Sequence, residues 1–100
     1  MITFEFEGKP YEVKITRNGV RRACDVLGYG ASKAMEDPGL SMDFFMMAGL
    51  APYKLSQDKV YAIIAYLMDD EHDQENPVFR YDELVKPLSE AYAKLFPQGV

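Results

Sequence analysis

The only histidine, His72, sits inside an acidic run of Asp69, Asp70, Glu71, Asp73 and Glu75. An imidazole among carboxylates is a donor set that suggests a divalent metal. The spacing argues against one. The run lacks the spacing and the turn glycine of an EF-hand loop. Zinc asks for more nitrogen or sulfur ligands than one His provides. The run reads as a solvated loop between helices. Cys24 is the single thiol, and it reads as a small buried residue on an apolar helix stripe rather than a nucleophile. Glu5 and Glu12 are expected opposite each other on a solvent-facing strand pair. There they lack the desolvation that acid–base work needs. Arg17, Arg21 and Arg22 form a small basic spot, expected to pair with nearby carboxylates or an acidic partner. No nucleophile, base and orienter come together, so the reading is not an enzyme. Neither a catalytic residue, a metal ligand, a cofactor nor a small-molecule substrate is expected.

The elements that would position these residues are legible in the apolar patterns. Ile2, Phe4 and Phe6 alternate with Thr3, Glu5 and Glu7, and Tyr11, Val13 and Ile15 alternate with Glu12, Lys14 and Thr16. Alternation of this kind predicts two strands. A two-residue turn at Gly8-Lys9 would pair Phe6 with Tyr11, Phe4 with Val13 and Ile2 with Ile15. A lone hairpin is marginal in water, so its apolar face must lie on helices. Four helical stretches follow. The first starts from Asn18 as N-cap and stops at Gly28. The segment from Tyr29 to Pro38 is ambiguous, with a short turn around Met35, and Pro38-Gly39 ends it. Ser41 caps the second stretch, which closes near Leu50. Ser56 caps the third, with a stripe of Val60, Ile63, Ile64, Leu67 and Met68. The fourth carries Tyr81, Leu84, Val85, Leu88, Tyr92, Leu95 and Phe96. Pro87 should kink or split it, and Pro97-Gln98-Gly99 ends it.

The fold expected is therefore α+β, mostly α, with one N-terminal antiparallel β-hairpin packed on a bundle of about four helices. One hundred residues make a single domain over 1–100, with the hairpin in 1–17 and the helical region in 18–97. A net charge of −5 argues against nucleic acid, whose phosphates would repel the chain. The N-terminus reads as a strand with acidic residues, so no signal peptide is expected. No apolar run reaches the length of a membrane span. One cysteine cannot form an internal disulfide, which suits a reducing cytoplasm.

The second helical stretch is the most unusual. Met42, Phe44, Phe45, Met46, Met47 and Leu50 make it apolar nearly all round. A helix of that kind must be covered on most sides. It is either the centre of the core or a face left for a partner, because adaptable Met and Phe suit a surface that accepts varied apolar helices. Tyr53, Tyr61 and Tyr66 add to the apolar surplus. On the partner reading, these six residues are the binding surface.

The order of elements resembles the tail assembly chaperones of long-tailed phages and prophages. The opening ITFEFEGKPYEVKIT is similar to that family's N-terminal hairpin. The middle, FFMMAGLAPYKLSQDKVYAIIAYLMDD, resembles its apolar helix, Pro-containing break, hydroxyl cap and long helix. The end, EAYAKLFPQGV, resembles its closing amphipathic helix. The resemblance implies a small helical protein in the cytoplasm of the bacterial host. It implies binding to the apolar helices of a tape-measure protein, kept soluble during tail assembly. The surplus of apolar side chains adds self-association through the same surface when the client is absent. The alternative class is a small prophage-encoded regulatory or inhibitory interaction module.

Overall fold

The structure is a computed structural model, and it describes residues 2–96. The expected closing turn at Pro97-Gln98-Gly99, and the end of the helical region at residue 97, lie outside these residues.

Alternating apolar residues build strand β1 (Ile2–Phe6) and strand β2 (Lys9–Val13), joined as an antiparallel hairpin. The turn falls on Glu7-Gly8 rather than Gly8-Lys9. Both residues have positive φ, 53° and 76°. That is the type I′ geometry whose twist matches the flanking strands, and Gly8 adopts it freely. The register follows from the turn: Ile2 faces Val13, Phe4 faces Tyr11 and Phe6 faces Lys9. It differs by two residues from the register expected. A slip of two keeps every side chain on its own face, so Ile2, Tyr11 and Val13 are still buried. Glu5 now faces Pro10 and Glu12 faces Thr3, so the two glutamates are not opposite each other.

The outer edge of β2 is closed. Its outward positions are Pro10 and Glu12, and Lys14 follows just past its end. Pro10 has no N–H to offer. The Glu12 N–H donates to the Tyr53 hydroxyl at 2.9 Å. The Lys14 N–H donates to the Gly49 carbonyl at 3.1 Å.

Helix α1 spans Arg17–Leu27. Its N-cap is Thr16, whose Oγ1 accepts the Gly19 N–H at 2.9 Å, and not Asn18. Gly28 closes it in the left-handed region, φ 81°. The ambiguous stretch holds a short helix α2 (Ala31–Ala34). Pro38-Gly39 does not end a segment but opens helix α3 (Pro38–Gly49). Asp37 caps it, accepting the N–H groups of Gly39 and Leu40 at 2.7 and 3.1 Å. Proline at the first turn costs no hydrogen bond, which is why the helix starts earlier than Ser41. Ser41 is instead buried one turn in, donating its hydroxyl to the Ala34 carbonyl at 2.7 Å.

Helix α3 is the centre of the molecule. It packs against α1, α2 and β2, and also against helices α4 (Gln57–Met68) and α5 (Tyr81–Leu95). Ser56 caps α4 as expected, accepting the Lys59 N–H. Val60, Ile63, Ile64 and Leu67 are its buried stripe. A kink or split is expected at Pro87; helix α5 is not split and runs as one helix through it. Leu84, Leu88 and Tyr92, spaced on one stripe either side of the proline, are all buried. Their burial holds both halves on the same core, while Pro87 itself sits at an exposed position. Among the described residues, no helix is long and apolar enough to cross a membrane.

Candidate interaction surface

The six residues expected to bind a partner do not lie on a surface. Met42, Phe44, Phe45, Met46, Met47 and Leu50 are all buried, none exposing more than 4%. Phe44 meets Phe45 edge-on at 5.6 Å between ring centroids, and Phe45 meets Tyr92 of α5 at 6.0 Å. An all-round apolar helix finds its cover here in the chain's own α1, α4, α5 and hairpin. As folded, these side chains offer a partner nothing to touch.

Exposed apolar surface is found elsewhere. The stripe of α4 that faces α3 leaves Tyr61, Ala62 and Tyr66 on the outer side. The hairpin tip comes down beside them. Phe6 packs on Tyr66, with ring centroids 5.3 Å apart. Lys59 fixes this approach by pairing with the Glu7 carboxylate and placing its ammonium 5.0 Å from the Phe6 ring centroid. The Glu7 hydrogen bond holds the Lys59 ammonium above its ordinary pKa.

The acidic run supplies the other wall. Asp69 ends α4 in the left-handed region, φ 57°. One carboxylate oxygen accepts the Asn76 N–H at 2.8 Å, and the other meets His72 Nδ1 at 2.7 Å. The Asn76 amide, and then His72, hold the Asp69 carboxyl below its ordinary pKa against the opposing effect of burial. The Val78 and Phe79 N–H groups donate back to the Leu67 carbonyl at 2.9 and 3.2 Å. The expected solvated loop is thus folded onto the end of α4, and it sets Val78 beside Tyr66. The result is a groove of about 390 Å³ lined by Phe6, Ala62, Ala65, Tyr66, Asp69, His72, Asn76 and Val78. Tyr66 is 47% exposed and Val78 46%.

The chain matches no family model, no curated protein and no solved structure. What the surface can do must therefore be read from its own side chains. Five of its lining residues are apolar or aromatic and three are polar, which suits anchoring of apolar side chains. Among the described residues, no three of His, Cys, Asp or Glu gather as metal ligands. Cys24 is half-buried on α1. Two of the three arginines make internal contacts, and among the described residues none of the three pairs with a carboxylate. Arg17 lies 5.2 Å from the Phe96 ring centroid, and Arg22 donates to the Leu55 carbonyl at 3.0 Å.

The sequence reading missed the groove because its walls come from three separate segments. One signal was present. Tyr61 and Tyr66 are large rings that fall off the buried stripe of α4. A helix that needs them only for its core has no reason to place them there.

Proposed function

We propose that this protein is a non-catalytic binding module of the tail assembly chaperone type, holding apolar helical segments of a tape-measure protein in solution. The observation that carries the reading is the apolar groove between hairpin tip and α4, with Tyr66 and Val78 each about half exposed at its rim. Clustered apolar side chains at a groove are what helix-in-groove binding uses as anchor pockets. An amphipathic helix laid across it would seat anchor side chains spaced three or four residues apart. The resemblance in the hairpin and in the segment from Phe44 to Asp70 names the client class. The acidic body, at net −5, adds the charge that keeps a loaded complex dispersed.

The surface proposed is the groove, and α3 serves it only as the floor on which α4 and the hairpin are mounted. Self-association of the free protein would cover Tyr66 and Val78 until a client displaces the second copy. Co-expression with a tape-measure protein tests the reading. The client should move from the pellet to the soluble fraction and co-purify with this chain. A client that precipitates equally with and without it contradicts the proposal.

A further inference from the structure

The two edges of the hairpin are finished differently. Pro10, the Tyr53 hydroxyl and the Gly49 carbonyl close the outer edge of β2. The outward positions of β1 follow from the register. They are Thr3, across from Glu12, and Glu5, across from Pro10. Both residues are exposed. No other part of the described chain bonds their N–H or C=O groups. Four backbone groups in a row are left facing solvent. Such an edge is a template for an added strand.

The side chains decide what the strand would be. One face of β1 carries Ile2, Phe4 and Phe6, and the other carries Thr3 and Glu5. Glu7 is neutralised by Lys59, whereas Glu5 has no ion-pair partner among the described residues. A second copy of the chain fits poorly. The fullest antiparallel self-pairing, centred on Phe4, sets the two Glu5 carboxylates on diagonal positions of one face, where like charges repel. A basic residue in the same place would be attracted.

We propose that the outer edge of β1 receives an extended segment of another protein that alternates apolar and basic residues, extending the hairpin to a three-stranded sheet. The segment's apolar residues would lie beside Phe4 and Phe6, and a basic residue would lie beside Glu5. This goes beyond helix binding in the groove. It needs the backbone of Thr3 and Glu5, whereas the groove needs Tyr66 and Val78; Phe6 borders both, and Thr3→Pro, which touches neither ring, separates the two ideas.

The test uses the full chain and two synthetic peptides, one alternating valine with lysine and one alternating valine with glutamate. The lysine peptide should bind and slow amide exchange at Thr3 and Glu5. Thr3→Pro deletes an outward N–H and leaves the hairpin ladder whole. It should weaken that binding about tenfold. Glu5→Lys should reverse the preference between the peptides, and it serves alone if Thr3→Pro does not fold. Equal affinity for the two peptides, or unaltered exchange at Thr3 and Glu5, overturns the proposal. So does self-association of the protein alone that Thr3→Pro abolishes, which would give the edge to a second copy.

Discussion

Gly19→Ala should destabilise this protein, although the same change on an exposed helix normally helps. Gly19 lies in α1, where that helix crosses α3, and it is buried. A Cβ there would sit 2.3 Å from the Ala48 carbonyl oxygen and 3.0 Å from Thr16 Oγ1. The first neighbour is backbone and cannot rotate away. Relief requires α1 to withdraw by about 1 Å, which loosens dispersion contacts along the whole crossing. Overpacking of this kind costs about 1–3 kcal/mol. Alanine returns about 1 kcal/mol of helix propensity. A rigid carbonyl as the obstacle puts the cost in the upper part of that range, about 2–3 kcal/mol, so the net loss should be about 1–2 kcal/mol. For a domain of this size, that lowers Tm by roughly 4–16 °C. The comparator is Gly39→Ala at the exposed start of α3, where the Cβ would meet only the end of the Asp37 side chain at 3.1 Å. Thermal melts followed by circular dichroism should show Gly39→Ala near the parent and Gly19→Ala well below it. A Gly19→Ala protein that melts at or above the parent would refute the close α1–α3 crossing.

Other perturbations probe separate parts of the structure. Phe45→Ala should cost about 3–5 kcal/mol, a large share of a typical total of about 5–15 kcal/mol; a Phe45→Ala protein with an unchanged urea midpoint would return α3 to the surface. Tyr53→Phe removes the acceptor of the Glu12 N–H, so that amide should exchange faster and stability should fall by about 0.5–1.5 kcal/mol. Unaltered exchange at Glu12 would mean that the β2 edge is not closed by Tyr53. Asp69 has a folded pKa held below its ordinary value by the Asn76 amide and His72. Its contribution to stability is therefore present above the unfolded pKa and lost as pH falls through the lower folded one. Asp69→Asn should be less stable than the parent near neutral pH, with the difference shrinking as pH falls through the folded pKa. A difference that persists in acid would assign the effect to shape and not charge.

The parts of the fold that follow from local pattern were legible in the residues. The faces of the hairpin, Gly28 as a stop, Ser56 as a cap and the α4 stripe all come from period and capping chemistry. The register was not, because a slip of two residues leaves every face intact and only the turn conformation at Glu7-Gly8 decides it. Thr16 and Asn18 are both good caps two residues apart, and the Thr16 Oγ1 bond to Gly19 settles the choice. The start of α3 was misplaced because Pro38 reads equally as a stop and as a first-turn residue. The same ambiguity governed the candidate site. Met42, Phe44, Phe45, Met46 and Met47 announce a helix that must be covered, but not whether its own chain or a partner covers it. That depends on how α1, α4 and α5 converge, which no local pattern encodes. The groove was illegible for a related reason, since Phe6, Tyr66 and Val78 meet only in the folded chain.

The central claim is that the groove at the hairpin tip, and not α3, engages a helical client. Titration calorimetry with an apolar helical peptide from a tape-measure protein tests it, using the parent and the Tyr66→Ser/Val78→Ser double variant. Both changes fall at exposed positions, so the melting temperature should stay close to the parent's. The parent should bind, and the double variant should bind at least about tenfold more weakly. Equal binding by the two proteins, or no binding by the parent, would contradict the account.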